Sequence, residues 1–242
     1  MIISYRHNFI FIKTKKTAGT SLEIALSTHC GPEDLVTPLG NVEEIERQKW
    51  WPGLFPRNFT TDKNLEANFR DAIGTGDRKT VRDAYNRIRS SASGFVSSRH
   101  SGARAARKIS GEEFFNKAYK FTIERHPYDK AVSLAWFELS RRGNFDTQLT
   151  SVLKSKRYRN YDQYTIDGKP VVDFIMRYEN LAEDLAAIEK RLGGLALAER
   201  LPRSNSRQRK DRRPAHEILS DAQKAVVRET CREEFELLGY EP

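Results

Sequence analysis

Apolar residues occur along this chain as short unbroken runs, each followed by a polar turn and then by an amphipathic segment. Residues 9–12 (FIFI) form such a run, which is typical of a strand buried on both faces. After a polar loop, apolar positions return at helical spacing, and Thr20 or Ser21 is expected to cap the helix. The apolar side of that helix is formed by Leu22, Ile24, Ala25 and Leu26.

The same order recurs twice. Residues 119–123 predict a strand, residues 125–127 a turn, and Tyr128 begins a helix. Residues 171–176 predict a third strand, which leads through RYEN into a helix that Gly193 and Gly194 end. A last helix is expected from about Asp221 to Leu238, with Ser220 before it as the cap. Repeated strand-turn-helix units predict an α/β fold with a mostly parallel central sheet flanked by helices.

Residues 40–98 follow a different pattern. Residues 49–56 (KWWPGLFP) form an aromatic and proline-rich loop, and residues 64–90 are polar, helical in character and broken at residues 74–76. We interpret this segment as an insertion over the carboxyl edge of the sheet. The whole chain, residues 1–242, is then one domain, as its length allows.

Composition limits the class of protein. With 38% hydrophobic and 31% charged residues, the chain is expected to fold. No run approaches the ~20 apolar residues of a membrane helix, and no signal peptide is recognisable, so a cytoplasmic location is expected. The net charge of +9 favours an anionic partner: nucleic acid, a phosphorylated or sulfated cofactor, an acidic glycan or a membrane surface.

Cysteine and histidine contribute little to the prediction. Cys30 and Cys231 are too few for a disulfide scaffold, and we expect free buried thiols. The five histidines lack the spacing of metal ligands, so no metal site is predicted.

The loop KTKKTAGTS is the first candidate for chemistry. A strand that delivers Gly, Thr and Ser to a helix start exposes backbone N–H groups that suit an anion, and Lys16 adds a positive charge. A P-loop would need its lysine after the second glycine, whereas Lys16 precedes Gly19. Alone, the stretch is equally compatible with a basic turn and a helix cap.

A second anion motif follows the second strand. Arg125 stands at the strand end, and Ser133 lies eight residues later, where the first turns of a helix bring its hydroxyl near the guanidinium. An arginine and a hydroxyl together hold a phosphate well. Two such motifs at adjacent strand ends predict a ligand with two separated anionic groups.

These residues resemble a known family, the sulfotransferases that use 3′-phosphoadenosine 5′-phosphosulfate (PAPS), in particular their carbohydrate-type branch. FIKTKKTAGTSLE is similar to the family's 5′-phosphosulfate loop, PKTGGTS, and RHPYDKAVS to its 3′-phosphate motif, R-x-P-x-x-R-x-x-S. Lys15 replaces the usual proline, Ala18 the first glycine and Lys130 the second arginine. RHSGARAARKISGEEFF and RYENLAEDL also agree, so the resemblance covers about Phe9 to Tyr240, without residues 40–98.

The resemblance implies a P-loop-like nucleotide-binding sulfotransferase fold. It also implies metal-free transfer of a sulfuryl group from PAPS to an acceptor hydroxyl, on a glycan or glycoconjugate, with adenosine 3′,5′-bisphosphate as the product. Lys16 would stabilise the leaving oxygen, and Arg125 and Ser133 would hold the 3′-phosphate. The 5′-phosphate would be bound by Lys16, Thr17, Ala18, Gly19, Thr20 and Ser21. His100 is the candidate base, because an imidazole accepts a proton at neutral pH, with Glu23 as a weaker alternative.

Three alternatives stay open. The basic segment 203–213 (RSNSRQRKDRR) is either a loop over the nucleotide, with Arg207 as its most plausible contact, or a solvated or nucleic-acid-binding charge run. Trp50, Trp51 and Phe55 either stack on a sugar or anchor their loop. As a whole, the chain would otherwise be a nucleotide-dependent kinase of related fold or a basic nucleic-acid-binding module, although no specific nucleic acid is expected as a partner.

Overall fold

A computed structural model describes residues 1–91, 100–139, 143–202 and 211–241 of the chain. The strands are β1 (Ile2–Ser4), β2 (Phe9–Ile12), β3 (Leu35–Val36), β4 (Tyr119–Glu124), β5 (Thr165–Ile166), β6 (Lys169–Pro170) and β7 (Phe174–Arg177). The helices are α1 (Gly19–Ser27), α2 (Asn41–Trp50), α3 (Lys63–Gly74), α4 (Arg78–Ser90), α5 (Ala103–Ser110), α6 (Glu112–Lys117), α7 (Pro127–Leu139), α8 (Phe145–Ser155), α9 (Leu181–Arg191), α10 (Ala215–Ile218), α11 (Asp221–Thr230) and α12 (Arg232–Leu238).

The α/β class is confirmed, but the central sheet is mixed rather than mostly parallel. Its strand order is β3-β1-β2-β4-β7. The pairs β2–β4 and β4–β7 are parallel, whereas β1 runs antiparallel to both β2 and β3. The predicted units therefore form the parallel half. The antiparallel half is formed by β1, which makes a hairpin with β2, and by β3, which follows α1.

Both faces of the sheet are covered. Phe9 and Phe11 point to one face and pack with α1 and α9, whereas Ile10 and Ile12 point to the other and pack with α5 and α6. All four side chains are fully buried. Burial on both faces is the physical reason that this strand reads as an unbroken apolar run.

Most predicted elements are confirmed, with three changes of boundary. The third strand is Phe174–Arg177 instead of residues 171–176, and a 3₁₀ turn, Tyr178–Asn180, joins it to α9. The last helix is interrupted at Cys231, which separates α11 from α12. Ser220 caps α11 as expected, in a capping box with Gln223.

Residues 40–98 contain α2, α3 and α4, and the predicted break at residues 74–76 separates α3 from α4. These two helices surround a small cluster of their own, which includes Phe59, Phe69 and Val81. Cys30 and Cys231 are free and buried, as expected. Within the described residues, no helix combines the length and the apolar character that crossing a membrane requires.

Candidate anion-binding active site

The loop between β2 and α1 is anchored to the neighbouring strand. The Thr14 hydroxyl donates a hydrogen bond to the carbonyl oxygen of Ile123 in β4. The Thr17 hydroxyl lies 2.9 Å from that of Thr14, and both residues are buried. These contacts fix the start of the loop against β4, the strand that leads to Arg125.

The loop turns through two residues with left-handed backbones. Lys16 has a φ of 62° and Ala18 a φ of 66°, in a region that favours glycine. Strain of this kind concentrates at functional sites. At Gly19 the space is tight instead: a Cβ there would lie 3.0 Å from Cγ of Lys13 and 3.4 Å from the carbonyl oxygen of Thr14, so the Lys13 side chain would have to shift.

The prediction that Thr20 or Ser21 caps α1 is wrong. The N-cap is Ala18, which makes no side-chain cap bond. The N–H groups of Gly19 and Thr20 therefore open the helix, at positions without an intrahelical acceptor. Ser21 N–H, in contrast, donates to Ala18 O at 3.0 Å.

The second motif lies beside the first, at the end of β4. Arg125 is half-buried, and its guanidinium contacts Asp129 at 3.1 Å and lies 4.3 Å from the centre of the Tyr178 ring. Ser133 is two turns further along α7. Because β2 and β4 are parallel neighbours, their carboxyl ends meet at one edge of the sheet.

One cavity of about 560 Å³ is bordered by both motifs. Its lining includes Lys16, Thr17, Ala18, Gly19, Thr20, Ser21, Arg125, Ser133 and His100, which are all the predicted site residues except Arg207. Arg207 falls in residues 203–210, outside the described part of the chain. Arg212, in the described end of the same basic segment, lines the cavity.

The charge of the cavity is positive. Among the described residues, six lysine and arginine side chains border it, against two glutamates, Glu43 and Glu138. Those six are Lys13, Lys15, Lys16, Arg125, Arg157 and Arg212. Burial, followed by the charge of Arg157, lowers the pKa of Lys15. This excess of cations suits a polyanionic ligand.

Lys16 rests against an aromatic ring of α7. Its Nζ lies 4.2 Å from the centre of the Phe137 ring, within the range of a cation–π contact. The next residue, Glu138, is held by Arg157 through two bonds of 2.6 and 2.8 Å. Sequence reasoning missed Phe137, Glu138 and Arg157, because nothing local marks them as neighbours of Lys16.

His100 precedes α5 and lies beside Lys13, the residue that follows β2. Its Nδ1 is 3.4 Å from the carbonyl oxygen of Lys13. A carbonyl only accepts, so a hydrogen bond in this contact requires the tautomer with the proton on Nδ1, in which Nε2 is the acceptor nitrogen. That tautomer is the one that a base acting through Nε2 requires.

The structure excludes Glu23 as an alternative base. Its side chain is fully buried and contacts Lys13 at 3.0 Å, the Thr37 hydroxyl at 2.9 Å and the Met1 amino group at 2.8 Å. Burial alone would raise the pKa of Glu23, but the charges of Lys13 and the Met1 amino group lower it to about 2. Such a carboxylate is a poor proton acceptor.

The aromatic loop does not border this cavity within the described residues. The centre of the Trp51 ring lies 5.2 Å from the guanidinium carbon of Arg200. Phe55 packs against the α3–α4 cluster, and Trp50 is exposed. For Trp51 and Phe55 the anchoring interpretation fits these contacts better than sugar stacking. His126 packs against Tyr128, Phe235 and Tyr240 and is not among the described residues that line the cavity.

Within the described residues, no three histidine, cysteine or carboxylate side chains come together in a way that could hold a metal ion.

Comparison with known proteins adds one relative. No family model matches the sequence, and no solved structure matches it. An uncharacterized protein of Archaeoglobus fulgidus is 35% identical over 89 residues, which are 34% of this chain and 74% of the archaeal protein.

Proposed function

We propose that this chain, which belongs to one family with the archaeal protein, is a sulfotransferase that moves the sulfuryl group of PAPS to an acceptor hydroxyl. The observation that carries the proposal is the convergence of two anion motifs on one cavity. A ligand with a phosphosulfate at one end and a separate phosphate at the other matches that arrangement. The class of acceptor, a glycan or glycoconjugate, rests on the resemblance to the carbohydrate-type branch.

The proposed reaction is an in-line displacement at sulfur. The acceptor oxygen forms a bond to sulfur while the bond from sulfur to the 5′-phosphate oxygen breaks. The acceptor proton goes to Nε2 of His100, and the electron pair of the broken bond stays on the bisphosphate. Lys16 would stabilise that developing charge, and the N–H groups of Gly19 and Thr20 would bind the 5′-phosphate.

The 3′-phosphate would be held by Arg125 and Ser133. Arg125 already has a carboxylate partner in Asp129, and its guanidinium has five N–H donors, enough for a phosphate as well. The face of Tyr178 restrains the guanidinium plane. A guanidinium whose orientation is restrained before binding loses less conformational entropy when it binds the phosphate.

Two rival functions make different predictions. A kinase of related fold would require the P-loop order of glycine, lysine and hydroxyl residue, which the loop around Lys16 lacks. A nucleic-acid-binding module would account for the net charge of +9, but it gives no reason for two anion motifs at neighbouring strand ends.

Calorimetry with four ligands tests the proposal: adenosine 3′,5′-bisphosphate, AMP, ATP with Mg²⁺, and single-stranded DNA. We expect the bisphosphate to bind most tightly of the four. At about 100 times its Kd, a bound ligand also raises the free energy of unfolding by ~2.7 kcal/mol. Arg125→Ala should remove the preference for the bisphosphate over AMP. Arg104→Ala, at an exposed ion pair with Asp167, is the matched control and should keep it.

Turnover is then measured with PAPS carrying labelled sulfate and a panel of glycan acceptors. Equal affinity of the wild type for bisphosphate and AMP would remove the 3′-phosphate site. Preference for ATP with Mg²⁺ would favour the kinase, and preference for DNA the binding module.

A further inference from the structure

Asn160 lies behind the loop that carries Lys16 and makes contacts that the proposed reaction does not use. Its Oδ1 accepts a hydrogen bond from Lys15 N–H at 3.1 Å, and its Nδ2 donates to Lys15 O at 3.1 Å. The side-chain amide thus binds the backbone of residue 15 on both sides. Asn160 is fully buried, so water cannot easily replace these bonds if they are lost.

The backbone of Asn160 is itself held by the last helix. Its N–H donates to Oε1 of Glu234 at 2.5 Å, and Tyr161 N–H donates to the same oxygen at 2.9 Å. Glu234 is a fully buried residue of α12. The position of Asn160 therefore depends on α12 as well as on the segment between α8 and β5 in which Asn160 lies.

Lys130 links Glu234 to the strand that ends at Arg125. Its Nζ lies 2.5 Å from Oε2 of Glu234 and 2.8 Å from Oε2 of Glu124, and all three side chains are fully buried. Lys130 stands where the resembled motif has its second arginine, yet it points into this cluster. It is not among the described residues that line the cavity.

The contacts close into a ring that touches both anion motifs. Nδ2 of Asn160 lies 3.4 Å from Oε2 of Glu124, and that same oxygen accepts Arg125 N–H at 3.1 Å. One side of the ring thus binds Lys15, next to Lys16, and the other binds the backbone of Arg125. Buried polar networks of this kind hold their members rigidly.

We propose that Asn160 is a positioning residue, which with the cluster of Glu124, Lys130 and Glu234 sets the anion loop at a fixed distance from the Arg125 turn. This inference rests on the proposed function, because the two held segments are those that would bind the 5′- and 3′-phosphates. Asn160 contacts no ligand in this scheme. Its effect passes through the backbone of residue 15.

The test compares Asn160→Ala with wild type in the full chain, with three ligands measured by calorimetry: adenosine 3′,5′-bisphosphate, 5′-AMP and 3′-AMP. Alanine removes the bonds to Lys15 and the 3.4 Å contact with Oε2 of Glu124, but it keeps the backbone N–H that donates to Glu234. We expect the affinities for the bisphosphate and 5′-AMP to fall about tenfold, or ~1.4 kcal/mol. The affinity for 3′-AMP should change less than twofold, because the Arg125 turn keeps its own contacts.

Asn58→Ala provides the matched control. The Asn58 side chain also bridges backbone atoms, donating to Pro32 O and Asp34 O, and it does not line the cavity. This variant should lose stability without changing any of the three affinities. If Asn160→Ala does not fold, Asn160→Ser provides the same comparison, because its shorter side chain cannot span both atoms of residue 15.

The outcomes separate this inference from the proposed function. If the wild type does not prefer the bisphosphate over both monophosphates, the proposed function fails, and the inference fails with it. The other case is that the wild type shows that preference while Asn160→Ala lowers the affinity for 3′-AMP as much as that for 5′-AMP, or lowers neither affinity. Positioning by Asn160 is then refuted, and the sulfotransferase proposal stands.

Discussion

The buried cluster of Glu124, Lys130 and Glu234 makes a prediction about stability that does not depend on any ligand. Two carboxylates share one lysine, and all three side chains are fully buried. Burial raises the pKa of Glu124 from 4.5 to about 7. The positive charge of Lys130 would lower this pKa, but the negative charge of Glu234 partly cancels that effect. Glutamine at residue 124 would keep the shape and a hydrogen-bond acceptor but could not ionise.

The sign of the effect follows from linkage. The folded state binds the Glu124 proton more tightly than the unfolded state does, so this stabilisation is complete below about pH 4.5 and is lost as the pH rises through about 7. The difference between the unfolded and folded pKa values of Glu124 corresponds to roughly 3 kcal/mol of folding free energy, at 1.36 kcal/mol per pKa unit. Relaxation around the cluster would reduce that amount, so we expect about 1–3 kcal/mol.

Urea unfolding at pH 5, 6, 7 and 8 measures this difference. The free energy of unfolding of the wild type should fall relative to Glu124→Gln by about 1–3 kcal/mol across the series. Titrating groups outside the cluster, such as Glu44, are present in both proteins and cancel. Glu236→Gln, at an exposed position of α12, is the control and should follow the wild type. A constant difference between wild type and Glu124→Gln from pH 5 to 8 would refute the reasoning.

Three further substitutions test the loop and the proposed chemistry. Ala18→Gly should raise the free energy of unfolding by about 1 kcal/mol in urea, because Ala18 has a φ of 66° that glycine adopts without strain; a less stable variant would contradict this. Lys16→Ala should lower kcat by roughly 10²–10³ with a smaller loss of bisphosphate affinity, and equal losses would make Lys16 only an anchor. His100→Ala should lower turnover by roughly 10²–10⁴ at unchanged bisphosphate affinity, and retained turnover would assign the base to another group, though not to the buried Glu23.

The parallel half of the sheet could be predicted because its signals are local. Strand β2 is a run of four apolar residues whose two faces are both covered, and the helix after each strand repeats at a recognisable spacing. The antiparallel half could not be predicted in the same way. Strand β1 has three residues and β3 has two, and their pairing is decided by contacts between residues more than 30 positions apart.

The candidate site could also be predicted only where its signals are local in the sequence. Lys16, Arg125 and Ser133 carry chemical types that stand out after predicted strands, and His100 is indicated by the resemblance. The structure brings all four to one cavity. The wrong helix cap has a physical cause: propensity favours Thr20 or Ser21, but the left-handed backbone of Ala18 starts the helix earlier. Such a backbone angle leaves no trace in the identity of an alanine.

Lys130 illustrates where a motif and a structure diverge. By its position in R-x-P-x-x-R-x-x-S it replaces an arginine, and a lysine there preserves the positive charge that a phosphate site would use. A fully buried ammonium, however, is stable only beside compensating carboxylates, and Lys130 has two of them. One of these, Glu234, is 104 residues away in sequence, so no reading of the motif alone could assign the lysine to the core. In our proposal, the charge that the motif would supply to a ligand instead holds the strand of Arg125 and, through Glu124, Glu234 and Asn160, the loop of Lys16.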